Sequence, residues 1–251
     1  RIISLFRTLV LSMFMAMLPD AAYPAGKGTS TIRLMPGTAL ATDARVLDSG
    51  RAGPVALIIG GIHGDEPAGM AAAKRLASMT PTRGKLIVLP VANRPAAESA
   101  VRSPYHLQDL NRAFPGRKTG TDTEQLAAAI IGLVARYRPA VVLDLHEAGA
   151  DADPGGREVE NTLILSEEGR AAEMALDVLE ALNPTRGDQP FSYLSGAPAG
   201  SLNREVSRRF GIPVITVETS RRDPLPRRVD TQIDIVTRVL GDLGMLEGGG
   251  Q

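Results

Sequence analysis

The 251-residue sequence has no cysteine and no tryptophan, and aromatic residues make up only 4% of it. The absence of cysteine excludes disulfide frameworks and thiolate metal sites, so a transition metal would have to be bound by histidine and carboxylate side chains. The three histidines keep the set of candidate ligands small. The sequence also lacks an excess of charge, with 28 basic and 28 acidic residues, and therefore gives no reason to expect nucleic acid or an anionic membrane as a partner.

The first 26 residues have the layout of a secretory signal peptide. Arg1 and Arg7 form a cationic start, an apolar run follows at 9–18, and small residues follow Pro19. An amphipathic or merely hydrophobic terminal helix is the alternative. The apolar run is too short for a transmembrane helix, which needs roughly 20 residues. We expect a signal-peptide-like segment at 1–26, one catalytic domain at 27–246 and a flexible tail at 247–251. The expected location is periplasmic or secreted, without a stable membrane span.

Apolar runs that alternate with helical patterns predict the fold. Strands that are apolar on both faces and interleaved with helices imply a mostly parallel sheet covered on both sides. The prediction is a single three-layer α/β/α domain with a mostly parallel, mixed and twisted sheet. Such sheets bind ligands beyond the carboxyl ends of their strands. The expected strands are 55–60, 85–91, 140–145, 161–165 and 213–217, and the expected helices are 67–79, 121–138, 168–182, 201–210 and 228–243.

Two motifs at predicted strand ends supply candidate metal ligands. GGIHGDEPAG places His63 and Glu66 three residues apart at a strand-to-helix turn, and LDLHEAG places His146 at the end of another strand. Two imidazoles and one carboxylate form a donor set that Zn²⁺ favours, with a position left open in a catalytic site. The short motif alone is weak, because Glu66 could simply lie at a helix N-terminus. Asp144 shares a strand face with His146, where it would either orient the ligand or form a salt bridge.

A further carboxylate ends the predicted strand in VITVETS, where Glu218 follows an apolar run. A carboxylate at a strand terminus is often only a solvated end residue. Next to a water activated by zinc, Glu218 would instead be the general base, which later protonates the leaving amine.

Taken in order, the segments GGIHGDEPAG, DLNRAFPG, DLHEA and VITVETS resemble motifs of the zinc carboxypeptidase superfamily (M14-like). They are most similar to its succinylglutamate desuccinylase/aspartoacylase branch. The resemblance spans residues 55–243 and implies the fold of that superfamily. It also implies one Zn²⁺ per chain, bound by His63, Glu66 and His146, and hydrolysis of an amide bond.

The resemblance also implies roles for residues outside the metal site. Asn111 and Arg112 would bind a substrate carboxylate, since a guanidinium matches a carboxylate with two parallel hydrogen bonds. Arg102 would polarise the scissile carbonyl, although it could be an ordinary loop arginine. Tyr193 would close over the substrate, or would only pack. His106 has no counterpart in the family and is expected to be an ordinary loop histidine.

The sequence leaves the substrate open. Desuccinylases and aspartoacylases carry a β-rich domain after the catalytic glutamate, whereas 33 residues follow Glu218 here, so we expect a more open site. The first hypothesis is a metallocarboxypeptidase or peptide amidase acting on a peptide with a free carboxylate, such as a murein peptide. The alternative is a deacylase of N-acyl amino acids. A catalytically silent binding module is a third hypothesis, which the complete set of ligands and Glu218 disfavours.

Overall fold

The computed structural model describes residues 27–149, 159–166 and 170–246. The predicted signal-peptide-like segment at 1–26 and the predicted tail at 247–251 lie outside these residues. In the part of the chain that is described, no helix is long and apolar enough to cross a membrane.

The described residues form eight strands and six α-helices, which largely alternate along the chain. The strands are β1 (Gly28–Leu34), β2 (Thr42–Asp48), β3 (Val55–Gly60), β4 (Lys85–Leu89), β5 (Val141–Ala148), β6 (Thr162–Leu165), β7 (Ser192–Ser195) and β8 (Val214–Ser220). The helices are α1 (Pro67–Leu76), α2 (Arg94–Ser99), α3 (Asp122–Tyr137), α4 (Arg170–Leu182), α5 (Leu202–Phe210) and α6 (Leu225–Asp242). Short 3₁₀ turns occur at Leu110–Arg112 and Asn183–Thr185.

All eight strands belong to one sheet in the order β1-β2-β4-β3-β5-β8-β6-β7. The pairs β3/β4, β3/β5, β5/β8 and β6/β7 are parallel, whereas β1/β2, β2/β4 and β6/β8 are antiparallel. The predicted mixed sheet is therefore confirmed. Its central strands β3, β5 and β8 are parallel neighbours, so their carboxyl ends meet at the same edge of the sheet.

Helices cover both faces of the sheet. Leu143 and Leu145 of β5 pack with the apolar sides of α1, α4 and α6. Val142 belongs to the opposite core, which includes α3 and α5. Every residue of β5 is buried, as a strand covered on both faces should be. The predicted three-layer arrangement is confirmed, and Asp144 and His146 lie on the α3/α5 side by strand alternation.

The predicted elements are present with small differences at their ends. Helix α3 begins with the predicted capping box, in which Thr121 and Glu124 satisfy each other's backbone N–H groups. Pro67 occupies the first turn of α1 as expected. Strands β5 and β8 extend three residues beyond the predicted ends, so His146 and Glu218 lie within paired strands. Strands β1, β2 and β7 and helix α2 were not predicted.

Candidate metal centre

Parallel pairing of β5 and β8 places two of the predicted site residues side by side. His146 is the register partner of Glu218, and Asp144 is the register partner of Thr216. Because the four residues alternate with apolar ones, all of them face the same side of the sheet. His146 is 1% exposed, whereas Glu218 is only partly buried and lines a cavity. The sheet therefore presents an imidazole and a carboxylate together at its carboxyl edge.

The turn between β3 and α1 presents the other two candidate metal ligands, which together with His146 complete the set predicted from the sequence. His63 and Glu66 are both buried there. Gly64 packs so tightly against α2 that a Cβ atom would lie 1.9 Å from the backbone carbonyl of Ala96. Only glycine fits this approach, which fixes the path of the chain between the two ligands.

The donor atoms of His63, Glu66 and His146 lie within 4.8 Å of one another. The Glu66 carboxylate lies between the two rings, with Oε1 at 2.7 Å from Nδ1 of His63 and Oε2 at 2.7 Å from Nδ1 of His146. The ring centroids are 4.8 Å apart. Two imidazole nitrogens and one carboxylate that converge in a buried place match the donor set of a catalytic zinc site.

A second carboxylate lies beside the other nitrogen of each ring. Nε2 of His63 lies 3.2 Å from Oδ1 of Asp109. Nε2 of His146 lies 3.1 Å from Oδ2 of the buried Asp144, close enough for an ion pair although neither atom completes a hydrogen bond of good geometry. Carboxylates commonly orient metal-binding histidines in this way and direct the Nδ1 lone pair toward the metal. The residues therefore fit Zn²⁺, and Asp144 contacts the ligand His146 directly.

Mutual electrostatics stabilise this cluster in its charged form. Burial raises the pKa of Glu66, but His146 and His63 outweigh it and hold that pKa well below its usual range. Burial lowers the pKa of His146, but the Asp144 and Glu66 carboxylates raise it to well above its ordinary value. At Glu218 burial dominates and raises the pKa to about 8. A carboxyl group with such a pKa can both accept and donate a proton near neutral pH.

The position of Glu66 at the start of α1 does not make it a helix cap. Its side chain forms no capping hydrogen bond. Instead, Oε2 of Glu147 accepts a hydrogen bond of 2.9 Å from the backbone N–H of Ala68, and Arg228 pairs with the other oxygen of Glu147. Glu147 rather than Glu66 therefore accepts from the first turn of α1, and the two oxygens of Glu66 each contact one imidazole.

A cavity of about 430 Å³ opens beside this cluster. Arg102 lies at its edge and donates to Oδ2 of Asp109 from Nε at 3.0 Å and from Nη2 at 2.9 Å. Oδ1 of Asn111 accepts from the backbone N–H of Leu202, and no described residue accepts from its amide NH₂ group. Arg112 is exposed and also lines the cavity. The structure thus brings Arg102, Asn111 and Arg112 to the same cavity as His63 and Glu66.

Two of the residues singled out in the sequence lie apart from this cavity. Tyr193 is on the edge strand β7, is 46% exposed and is not among the residues that line the cavity. Its predicted role in closing over the substrate stays a prediction. His106 is an exposed loop residue, as expected.

Sequence reasoning did not single out several residues of the site, among them Asp109, Arg221 and Asn203. Asp109 is the first residue of the DLNRAFPG motif, and its position in that motif was the only indication in the sequence that it belongs to the site. Arg221 directly follows the VITVETS segment, and its Nη2 lies 3.1 Å from Oδ2 of Asp65 and 3.7 Å from Oε1 of Glu66. Asn203 lines the cavity from α5 and carried no signal in the sequence.

A buried two-histidine, one-glutamate cluster, with a further carboxylate beside it at the edge of an α/β/α sheet, is typical of a metal-dependent hydrolase. The sequence profile of the succinylglutamate desuccinylase/aspartoacylase catalytic domain matches residues 52–233. The chain belongs to this family, as the motifs indicated.

A curated relative and two solved structures are also similar to the chain. Over 105 residues the chain is 39% identical to the N-alpha-acetyl-L-2,4-diaminobutyric acid deacetylase of Halomonas elongata, a match that covers 40% of this chain and 30% of that relative. The ectoine utilization protein EutE (DoeB) from Ruegeria pomeroyi, solved with product bound, has 25% identity and a TM-score of 0.69 over 94% of this chain and 72% of that chain. The cell shape determinant protein Csd4 of Helicobacter pylori shares the fold, with 20% identity and a TM-score of 0.66 over 87% of this chain and 56% of that chain.

Proposed function

We propose that this protein is a zinc-dependent deacylase that hydrolyses the amide bond of an N-acyl amino acid with a free carboxylate. The observation that carries the proposal is the register pairing of His146 with Glu218, which places a carboxylate of raised pKa beside the buried ligand cluster. Membership of the succinylglutamate desuccinylase/aspartoacylase family and the similarity to a named deacetylase support the same chemistry.

His63, Glu66 and His146 are the residues that would hold the metal. When bound there, zinc supplies Lewis-acid polarisation of the amide carbonyl and lowers the pKa of water to about 7. Asp109, which contacts Nε2 of His63, and Asp144, which lies within ion-pair distance of Nε2 of His146, would help to orient the two imidazoles.

Glu218 moves the protons of the reaction. Its carboxylate takes a proton from the attacking water and then gives that proton to the amine nitrogen as the carbon–nitrogen bond breaks. The products are a carboxylic acid and a free amino acid, so the proton is conserved within the cycle.

The cationic side of the cavity would bind and orient the substrate. Nη1 of Arg102 lies 3.4 Å from Nδ1 of His63. In this position the guanidinium can stabilise the negative charge that develops on the carbonyl oxygen of the scissile amide. Asn111 and Arg112 would hold the substrate carboxylate, since no described residue accepts from the amide NH₂ group of Asn111 and the guanidinium of Arg112 lines the cavity. A fixed carboxylate places the scissile amide in register with Glu218.

Peptide hydrolysis is a second candidate function. A neighbouring groove of about 640 Å³ shares Asp109 and Arg112 with the cavity and could hold the rest of a peptide. A periplasmic or secreted location would supply murein peptides to such a groove. We propose that location from the composition of residues 1–26, and fractionation of cells that express the tagged full chain would test it.

Product analysis by mass spectrometry tests the proposal. The zinc-loaded protein is incubated with N-acyl amino acids, ordinary peptides and murein peptides, with a chelator-treated sample as control. We expect release of free amino acids from the N-acyl compounds and loss of that activity in the chelated sample. Cleavage of peptides alone would favour the second candidate. A protein that binds no zinc, or acts equally well without it, would overturn both.

A further inference from the structure

The buried side of α6 carries an amide side chain between apolar ones. Gln232 is 0% exposed, and the residues one turn away from it on the same side of the helix include the buried Val229 and Val236. Its Nε2 group donates to the backbone carbonyl oxygen of His146 at 2.8 Å and to Oγ1 of Thr219 at 3.0 Å. A single amide thus joins α6 to both β5 and β8.

The orientation of this amide follows from its partners. A backbone carbonyl such as that of His146 can only accept, so the NH₂ group of Gln232 must face it and Oε1 must point away. Oε1 accepts no hydrogen bond from any described residue. Because a buried acceptor without a donor is costly, an apolar side chain of similar size would serve the packing of α6 at least as well. The two donated hydrogen bonds, rather than packing, therefore account for an amide at this position.

The peptide unit between His146 and Glu147 connects Gln232 to the candidate ligands. Its carbonyl oxygen accepts from Gln232, and Oγ1 of Thr219 lies 3.5 Å from the same oxygen. Its N–H group, which belongs to Glu147, donates to Oε2 of Glu66 at 3.3 Å. Since a peptide group is planar, a fixed carbonyl also fixes the direction of this N–H group. Gln232 therefore acts on His146 and Glu66 through one peptide unit.

The second contact of Gln232 lies directly behind the proposed base. Thr219 follows Glu218 in β8 and is the register partner of Glu147 in β5. Successive side chains of a strand point to opposite faces of the sheet, so Thr219 faces α6 while Glu218 faces the cavity. The hydrogen bond from Gln232 to Thr219 therefore holds the end of β8 next to Glu218.

We propose that Gln232 is a positioning residue, which keeps His146 and Glu66 in line with Glu218 without contacting metal or substrate. The expected effect on turnover rests on the proposed function, whereas the expected effect on metal binding does not depend on the substrate. Groups that orient metal ligands from behind typically change metal affinity or activity about 10–100-fold when they are replaced.

Gln232→Met tests the proposal, because it keeps the approximate size and removes both donors together with the unpaired acceptor. Zinc affinity, measured against a chromogenic chelator, should fall about 10–100-fold. For an N-acyl amino acid kcat should fall as well, with KM within about twofold of the original value, since other residues bind the substrate. The Tm of the metal-free protein should stay close to that of the unaltered protein. Unchanged zinc affinity would refute the proposal.

Thr231→Val is the matched control on the same helix. Thr231 is also buried, and its Oγ1 accepts from Nη1 of Arg186 at 3.1 Å, but it is not among the residues that line the cavity. Loss of this buried hydrogen bond should lower Tm and leave zinc affinity and kcat unchanged. If Thr231→Val weakened zinc binding as much as Gln232→Met, loosening of α6 would explain both results and the proposal would be wrong.

Thr219 provides a second test that does not alter α6. Thr219→Val keeps the shape of the side chain and removes the hydroxyl, whereas Thr219→Ser keeps the hydroxyl. We expect weaker zinc binding in the first variant than in the second. Because Thr219 and Gln232 act on the same carbonyl, the double variant with Gln232→Met should lose no more affinity than Gln232→Met alone. Fully additive losses, or equal zinc affinity in the two Thr219 variants, would contradict the proposal even if Gln232→Met failed to fold.

The measurement of zinc affinity separates this proposal from the proposed function. Weaker zinc binding in Gln232→Met, but not in Thr231→Val, supports the role of Gln232 even if no N-acyl compound is hydrolysed. In that case only the deacylase proposal fails. If the unaltered protein bound no zinc, both would be wrong.

Discussion

The contact between α1 and β5 at Gly69 provides a direct test of how the metal site is assembled. A Cβ atom on Gly69 would lie 2.4 Å from the carbonyl oxygen of Leu145 and 3.1 Å from its carbonyl carbon. Gly69 follows Glu66 by three residues, and Leu145 precedes His146 directly. The close approach of the two backbones therefore sets the distance between two of the three proposed ligands.

The expected size of the effect of Gly69→Ala follows from that geometry. Real Cβ atoms essentially never come closer than 3.0 Å, so the backbones must separate by at least 3.0 − 2.4 = 0.6 Å. Overpacking of this kind costs about 1–3 kcal/mol, against at most about 1 kcal/mol gained from helix propensity. We expect a net loss of about 1–2 kcal/mol, or a fall in Tm of about 2–8 °C. Zinc affinity should fall about 10–100-fold, as when ligand-orienting groups are disturbed.

The assay combines thermal unfolding of the metal-free protein with zinc binding measured against a chromogenic chelator. Gly132→Ala serves as the control, because Gly132 lies inside α3 and a Cβ atom there would meet nothing within 4 Å. That variant should gain about 1 kcal/mol and bind zinc normally. If Gly69→Ala matched the control in both measurements, the α1/β5 contact would not be what aligns the ligands.

Three further predictions concern the site itself. Glu218→Gln should lower turnover at least about 10²-fold with zinc content unchanged, and retained turnover would remove Glu218 from the mechanism. Arg112→Ala should raise KM for free-acid substrates more than for amidated ones; equal effects would contradict its role in carboxylate binding. Burial lowers the pKa of His146, but the Asp144 and Glu66 carboxylates outweigh burial and raise it. Zinc that binds His146 must therefore displace a proton from the imidazole. Zinc affinity should fall as the pH falls below that raised pKa. Calorimetry in two buffers of different ionisation heat measures this release, and a heat independent of buffer would refute it.

Sequence patterns predicted the elements that carry the site but not the edges of the sheet. Strand β3 is apolar throughout, and β5 and β8 begin with apolar residues, because both faces of these strands are covered. Strand β1 is mostly exposed, and β7 is a four-residue edge strand. These two strands form through pairing with their neighbours, which a local pattern does not record.

The residues of the candidate site also fall into two groups: those that the sequence indicated and those whose roles only the tertiary structure shows. His63 and His146 were found because the sequence has few histidines and because strand ends converge in a parallel sheet. Asp109 contacts His63 across 46 residues, and Asn203 contacts Ile164 across 39 residues. Their roles arise from tertiary contacts, and aspartate and asparagine are common in loops and at helix ends for other reasons.

Two neighbouring carboxylates show how the fold assigns different tasks to similar groups. Glu66 begins α1, where a carboxylate would ordinarily interact with the free backbone N–H groups. Glu147 comes from β5 and takes that place by accepting from Ala68, while Arg228 of α6 balances its charge. The backbone N–H of Glu147 also donates to Oε2 of Glu66 at 3.3 Å. Glu147 therefore both relieves Glu66 of capping and helps to orient it, so the metal site depends on a residue that need not touch the metal.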